Sequence, residues 1–204
     1  MEIAALALYG FWFVLTFGVR TVLQLRRTGS TGFKGIGPEA GPLEWIAGAL
    51  FVVALGVGVA APLLALLDVI EPIEALDGVA AHMAGVALAV AGIVATFVAQ
   101  VGMGDAWRIG VEPEERTNLV TDGPFELVRN PIFAAMIPTA LGLALMVPSV
   151  IAALGLAALV VALELQVRLV EEPYLLRSHG DAYAEYAARV GRFVPGVGLL
   201  RGLR

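Results

Sequence analysis

The stretch Gly123-Pro-Phe-Glu-Leu-Val-Arg-Asn-Pro-Ile-Phe133 places an arginine, an amide and two prolines at the entrance of a long apolar run. A second polar cluster, Glu171-Glu172-Pro173-Tyr174-Leu175, follows that run. If the run folds back on itself as a helical hairpin, both clusters lie at the same depth. Polar and charged groups at membrane depth are costly unless they serve a purpose. The pattern therefore predicts a functional site at one end of the hairpin.

The composition is that of an integral membrane protein. Of the 204 residues, 59% are hydrophobic and 15% are charged, and the mean hydropathy is +0.85, whereas about a quarter of a soluble domain is charged. Cysteine is absent, which excludes a disulfide framework, a thiolate metal site and a cysteine nucleophile. His82 and His179 are far apart in sequence and do not show zinc-ligand spacing. We therefore expect no metal. Basic residues are not interleaved with aromatic residues, so we expect no nucleic-acid partner either.

Five apolar runs predict five transmembrane helices, because a bilayer core of about 30 Å is spanned by about 20 apolar residues. The runs cover residues 3–23, 43–67, 79–101, 131–147 and 150–170. The first run lacks a preceding basic segment and a cleavage-site pattern, so we expect a retained span. The fold expected is an all-α integral membrane protein with about five transmembrane helices. Helices four and five form a hairpin over 131–170, and a cytosolic C-terminal helical segment follows.

The basic residues determine the predicted orientation. All 13 lysines and arginines fall in the first loop, the third loop or the C-terminal part of the chain. The positive-inside rule therefore predicts a cell-membrane protein with its N-terminus outside and both polar clusters in the cytosol. We divide the chain into two parts. Residues 1–101 contain three helices and a cytosolic loop near 24–42, and residues 102–204 contain the motif loop, the hairpin and the C-terminal segment.

Four charged residues recur at helical spacing near the end of the fifth run. Glu164, Arg168, Glu171 and Glu172 stand at i, i+4, i+7 and i+8, which predicts one shared face of the helix and its extension. Glu164 and Arg168 form either a structural ion pair or a substrate contact. The adjacent carboxylates precede Pro173, which we expect to kink or restart the helix. The two carboxylates either bind a cation together or form a solvated acidic start of a helix.

Arg129 offers a planar fork that suits a carboxylate, although a snorkelling arginine at a helix entrance is the alternative. Together with the two carboxylates of Glu171 and Glu172, it suits an amino-acid head group such as that of S-adenosylmethionine. Gly102-Met103-Gly104 would let a nucleotide approach the backbone, or would serve close helix packing. Trp107-Arg108 is an interfacial anchor or a substrate contact.

These residues resemble the superfamily of isoprenylcysteine carboxyl methyltransferases and phospholipid N-methyltransferases. The resemblance covers roughly residues 102–195 and rests on two blocks, Gly-Pro-Phe…Val-Arg-Asn-Pro-x-Phe and Glu-Glu-x-x-Leu…Gly-x-x-Tyr-x-x-Tyr…Val-x-Arg-x-x-Pro. The second block falls on Glu171, Glu172, Leu175, Gly180, Tyr183, Tyr186, Val190, Arg192 and Pro195.

The resemblance implies a methyltransferase that takes its methyl group from S-adenosylmethionine, releases S-adenosylhomocysteine and acts on an isoprenoid- or lipid-type acceptor from the bilayer. It makes residues 102–204 a methyltransferase-like core with the cofactor pocket at the cytosolic face. The cofactor-binding residues expected are Gly102, Gly104, Arg129, Asn130, Pro131, Phe133, Glu171, Glu172, Leu175 and Tyr183. Arg129 and Asn130 are also the expected catalytic residues, and Trp107, Arg108, Glu164 and Arg168 are candidate substrate contacts.

Three positions depart from the pattern of the family. The usual histidine is Asn130, the usual tyrosine is Phe133 and the usual following glycine is Ala135. The first motif therefore lacks an obvious base. A carboxylate acceptor is already ionised at neutral pH and an amine must lose a proton, so an acid or thiolate-type acceptor is mildly favoured. The alternatives are a membrane reductase of related architecture that uses a reduced nicotinamide dinucleotide, and a non-catalytic membrane protein that retains the fold.

Overall fold

The computed structural model describes residues 1–35, 41–107, 109–110, 118–200 and 202. Its helices, numbered along the chain, are α1 (Glu2–Thr28), α2 (Pro42–Leu66), α3 (Val79–Gly102), α4 (Pro124–Leu127), α5 (Pro131–Met146), α6 (Val150–His179) and α7 (Asp181–Arg189). Short 3₁₀ turns occupy Glu74–Leu76 and Gly104–Ala106. By length and composition α1, α2, α3 and α6 suit membrane spans, and α5 is a shorter apolar helix of 16 residues. The prediction of a helical membrane protein is confirmed, with four long apolar helices and one short one.

Two short strands depart from the all-helical expectation. The strands β1 (Phe33–Gly35) and β2 (Ile109–Gly110) pair in parallel and join the loop after α1 to the loop after α3. A pairing between segments so far apart in sequence is not visible in local periodicity.

The helices begin at residues that satisfy their first backbone groups. Pro131 opens α5, where its missing N–H has no intrahelical partner. The hydroxyl oxygen of Ser149 accepts a hydrogen bond from the backbone N–H of Ala152 at 3.2 Å and caps α6. The carboxylate of Glu44 accepts one from the N–H of Gly41 at 3.0 Å, at the start of α2.

Small residues let α3 and α5 approach closely. A Cβ added at Gly142 would lie 2.4 Å from the backbone nitrogen of Ala89 and 2.5 Å from the carbonyl oxygen of Gly85. One added at Gly92 would lie 2.3 Å from the Oγ1 of Thr139. Such contacts drive helix association in a bilayer, where apolar side chains gain little from leaving the lipid. The crossing places the start of α5, and with it the first motif, beside the end of α3.

The connections lie at two ends of the bundle. The backbone N–H of Ile73, between α2 and α3, donates to the carbonyl of Pro148, between α5 and α6, at 2.7 Å. The loops after α1 and α3 are joined by β1 and β2 at the other end. The two connections without basic residues therefore share one end.

Two helices contain a wide π-helical segment, Val14–Val19 in α1 and Gln166–Glu171 in α6. Each directly precedes a buried charged residue, Arg20 at 2% and Glu172 at 5% exposure. A π segment adds a residue to the turn and rotates all later side chains relative to a straight α-helix.

The wide turn lies directly before Glu172 and Pro173 in α6. The helix passes Pro173 without breaking and continues to His179, because the turn is widened where the proline lacks an N–H donor. Glu172 is buried whereas the side chain of Arg168 is 57% exposed. Glu164 binds Arg168, and Arg192 reaches both Glu164 and Glu172, so these charged residues lie on one side of α6 but differ in burial.

We expect Gly142→Leu to weaken the bundle, because the new side chain would collide with the backbone of α3. A loss of about 2 kcal/mol in the free energy of unfolding is expected from overpacking, measured by denaturant titration in detergent. Gly56→Leu is the matched control, since a Cβ there meets nothing within 4 Å in the part of the chain that the structure describes. Equal effects of both substitutions would contradict the close crossing.

Candidate active site

The two motif blocks meet at one end of the bundle. The backbone N–H of Arg129 donates to the carbonyl of Gly191 at 2.8 Å, and that of Asn130 donates to the carbonyl of Arg192 at 3.1 Å. A bridge between Val128 and Gly191 continues the pairing. The chain just before α5 is thus fixed to the segment that follows α7.

The carboxylate of Glu172 lies between two guanidinium groups. Oε1 accepts hydrogen bonds from Nη2 of Arg129 at 2.5 Å and from Nε of Arg192 at 2.8 Å, and Oε2 accepts from Nη2 of Arg192 at 2.9 Å. The pairing with Arg192 is bidentate, the geometry in which a guanidinium binds a carboxylate most specifically. All three residues are buried, with 5% to 7% exposure. We call Arg129, Glu172 and Arg192 the ion network.

Arg129 uses its other donors to hold the C-terminal part of the chain. Nη1 donates to the carbonyls of Ala187, at 3.1 Å, and Val190, and Nη2 donates to the carbonyl of Gly198 at 3.0 Å. Nε is buried without a hydrogen-bond partner among the described residues. The fork expected to bind a ligand carboxylate therefore points into the protein and binds Glu172.

The ion network carries one excess positive charge, from two arginines and one carboxylate. The hydrogen bonds from Glu172 raise the pKa of Arg192 above its usual value. Nη1 of Arg192 also lies 3.8 Å from Oε2 of Glu164, which binds Nε of Arg168 at 2.5 Å. Glu164 and Arg168 thus form the ion pair considered from their spacing, at the partly exposed edge of the network.

Two tyrosines of α7 form an apolar wall beside the network. Tyr183 and Tyr186 are buried, with ring centroids 6.1 Å apart, and Leu175 packs against them. The hydroxyl of Tyr186 donates to the carbonyl of Phe125 at 2.6 Å. Burial raises the pKa of Tyr183, and it raises the pKa of Tyr186 to about 12, so both phenols are neutral at physiological pH.

Gly102-Met103-Gly104, which we call the glycine segment, lies against the first motif block, residues 123–133. A side chain at Gly102 would come within 3.3 Å of Pro124, at the start of α4. Gly104 has φ +57°, which favours glycine, and a Cβ there would meet no described residue within 4 Å. The ring of Trp107 is 2% exposed and lies beneath the guanidinium of Arg20. Because it is covered by protein, Trp107 is not an exposed interfacial anchor.

The remaining candidates occupy different surroundings. The amide Nδ2 of Asn130 donates to the carbonyl of Arg192 at 3.2 Å, and Pro131 is buried at the start of α5. Phe133 packs against the transmembrane core instead of the network. Glu171 is half-buried beside Glu172. Arg108 lies outside the described residues.

Two residues of this region were not among the sequence-predicted site residues. Arg192 belongs to the second motif block, and its spacing there was the signal that could have marked it. Arg20 stands at the inner end of the first apolar run, where an arginine is expensive unless it is held. In the structure its guanidinium donates to the carbonyl of Gly104.

The chain belongs to the phospholipid methyltransferase family, whose family model matches residues 80–182, or 103 of 204 residues. A solved structure of the eukaryotic intramembrane Ras methyltransferase, isoprenylcysteine carboxyl methyltransferase, superposes with a TM-score of 0.66 over 95% of this chain and 68% of that chain. The two are 16% identical, so this likeness establishes the fold. No curated protein sequence matches the chain significantly.

Family membership makes the chain an integral membrane methyltransferase, of a family that depends on S-adenosylmethionine and acts on lipid-type acceptors. The resemblance read from the two motif blocks is confirmed at this level. The reductase and the non-catalytic protein, which the sequence left open, are not supported by the family.

We expect Arg192→Leu to lower the free energy of unfolding by about 3 kcal/mol, because a buried charge that loses a partner is strongly destabilised. Denaturant titration in detergent, followed by tryptophan fluorescence, measures the loss. Arg189→Leu is the control, since Arg189 is exposed on α7, and its effect should stay within about 0.5 kcal/mol. A loss no larger for Arg192→Leu than for the control would contradict a buried network.

Tyr186→Phe should cost about 1 kcal/mol at neutral pH through the lost hydrogen bond to Phe125. The pKa of Tyr186 rises from 10.0 to about 12 on folding. The stabilisation is therefore complete below pH 10 and is lost as the pH rises from 10 to 12, because only the unfolded phenol ionises. The stability advantage of wild type over Tyr186→Phe should shrink and then reverse across this interval, because two pKa units correspond to about 2.7 kcal/mol. A pH-independent difference would show that the phenol is not protected.

Proposed function

We propose that the chain binds S-adenosylmethionine around the ion network and transfers its methyl group to a lipophilic acceptor at the cytosolic face of the membrane. The observation that carries this proposal is the position of Glu172 between Arg129 and Arg192, because the two motif blocks converge there. Methyl transfer to a positioned acceptor depends chiefly on holding two substrates in line in a water-poor site.

The residues present suit the chemical groups of the cofactor. The excess positive charge of the network suits a carboxylate, and the carboxylates of Glu171 and Glu172 suit a cationic ammonium or sulfonium. Bound there, the cofactor supplies an electrophilic methyl group. Since Arg129 and Glu172 bind each other, we assign them first to shaping and charging the pocket. If Arg129 or Glu172 bound the amino-acid group of the cofactor directly, the hydrogen bond between these two residues would have to be replaced by one to the cofactor.

Other residues complete the proposed pocket. Among the described residues nothing would meet a side chain at Gly104, so its backbone, next to Gly102, is a candidate surface for a nucleoside. The wall of Tyr183 and Leu175 would exclude water from the pocket. Asn130 is fixed through Arg192 and orients the entrance of α5, at Pro131. Phe133 extends the pocket towards the membrane core, where the acceptor would approach.

An apolar cavity inside the bundle supports a lipophilic acceptor. Tyr9, Trp12, Met136 and Leu159 are among the side chains that line it, and Met136 lies about one and a half turns along α5 from Pro131. A hydrocarbon chain fits this lining without burying polar groups. The partly exposed pair of Glu164 and Arg168 is the proposed contact to the polar part of the acceptor. Arg108, outside the described residues, is a further proposed contact, whereas Trp107 is enclosed by protein and is not one.

The kind of methyl acceptor depends on whether it must lose a proton to a base in the site. Both oxygens of Glu172 already accept hydrogen bonds from arginine, so this carboxylate is poorly placed to remove a proton. An acceptor that is already anionic, a carboxylate or a thiolate, needs no base. We therefore favour such an acceptor over an ammonium lipid.

Calorimetric titration with S-adenosylhomocysteine tests the pocket in purified, detergent-solubilised protein. We expect micromolar binding that weakens at least about tenfold in Glu172→Gln, since Arg129 and Arg192 lose the carboxylate that positions them and the charge-assisted hydrogen bonds to it, each worth roughly 1.5–3 kcal/mol. Glu185→Gln is the matched control, because Glu185 is exposed on α7, and should bind as wild type does. Folded wild type without detectable binding would overturn the proposal.

The proposed orientation has its own test. The chain has no cysteine, so single cysteines can be introduced at Asp77 and Glu185 without background. A membrane-impermeant maleimide applied to intact cells should label the variant at Asp77 and should label the one at Glu185 only after permeabilisation. The reverse pattern would contradict an external N-terminus.

A further inference from the structure

Arg20 lies in α1, outside the part of the chain that the family model matches. It is 2% exposed and follows the π-helical segment Val14–Val19 directly. The added residue of the π turn changes the direction in which Arg20 leaves the helix. Arg26 and Arg27, on the same helix, are exposed. Arg20 is therefore the arginine of α1 that the fold encloses.

Arg20 and Gln24 hold the glycine segment from one side. The guanidinium of Arg20 donates to the carbonyl of Gly104, and its Cζ lies 4.8 Å from the centre of the Trp107 ring. One turn later on α1, Nε2 of Gln24 donates to the carbonyl of Asp105 at 2.8 Å. A cation above an indole face adds an electrostatic attraction to the packing.

Neighbouring contacts keep this arrangement in place. Nε2 of Gln100 donates to the carbonyl of Thr16 at 3.1 Å and fixes α1 against α3. A Cβ at Gly32, which precedes β1, would lie 3.1 Å from the ring of Trp107. Trp107 is thus enclosed by Arg20 and by the loop after α1, whereas no described residue would touch a side chain at Gly104.

We propose that Arg20, assisted by Gln24, is a positioning residue for the cofactor. It holds the backbone of Gly102–Trp107 in the conformation that binds S-adenosylmethionine, so α1 completes a site whose other residues lie in the second half of the chain. A glycine-containing loop has many accessible conformations, and ordering it in advance removes that entropic cost from binding. This inference rests on the proposed function.

The test combines cofactor affinity with the exposure of Trp107, in full-length protein in detergent. Arg20→Met should weaken the binding of S-adenosylhomocysteine about tenfold, as expected for loss of a charge-assisted hydrogen bond. Arg20→Lys keeps a cationic donor and should recover part of that loss. Arg27→Met, the control on the same helix, should bind as wild type does.

The fluorescence of Trp107 supplies a readout that does not depend on the cofactor. Its contribution is the difference between each protein and the same protein carrying Trp107→Phe. Acrylamide should quench this contribution more strongly in Arg20→Met than in wild type, because the indole loses the side chain that covers it. Unchanged quenching would show that Arg20 does not hold the segment.

The outcomes separate the two proposals. Wild type that fails to bind S-adenosylhomocysteine overturns the proposed function, and the positioning role with it. Wild type that binds, with folded Arg20→Met binding equally well, overturns the positioning role alone. If Arg20→Met does not fold, Gln24→Leu decides the same question without removing a charge, and an unchanged affinity in that variant overturns the inference.

Discussion

The carboxylate of Glu172, enclosed by two guanidinium groups, is the interaction on which the site end of this molecule depends. A buried carboxylate is tolerated only when charged partners and hydrogen bonds replace its water. Arg192 provides both from the C-terminal segment and Arg129 from the entrance of α5. Three parts of the chain that are distant in sequence are thereby held together. The same arrangement leaves an excess positive charge in a region shielded from water, where charges act over longer distances.

The membrane part of the fold makes this arrangement possible. Close glycine contacts at Gly92 and Gly142 fix the crossing of α3 and α5 and so set the entrance of α5 beside the glycine segment. The π segments then turn Arg20 and Glu172 inward at the ends of two apolar helices. A straight α-helix would direct both charges elsewhere. The bundle therefore acts as a frame whose helix ends, and not its centre, bring the polar groups together.

The helices were predictable because apolar runs of sufficient length have few other solutions in a bilayer, and the motif blocks identified the family. The partners of the charged groups could not be predicted from the sequence. The sequence predicts that the guanidinium group of Arg129 is available to a ligand. Its direction is instead fixed by the backbone pairing of Arg129 with Gly191, which no local sequence pattern reveals. The spacing of Glu164, Arg168 and Glu172 predicts neighbouring positions on the helix, but it does not reveal that Arg192 joins Glu164 to the buried Glu172. Trp107 reads as an interfacial aromatic, and only the position of α1 shows that it is covered.

A structure of the full-length protein with S-adenosylhomocysteine in lipid nanodiscs would test the central claim most directly, that the ion network forms the cofactor pocket. We expect the amino-acid part of the ligand within hydrogen-bond distance of Arg129, Glu172 or Arg192, and the nucleoside against the backbone of Gly102 and Gly104. A ligand bound elsewhere, with the network unchanged and out of contact, would contradict it. The network would then be a structural support that holds the C-terminal segment to the bundle.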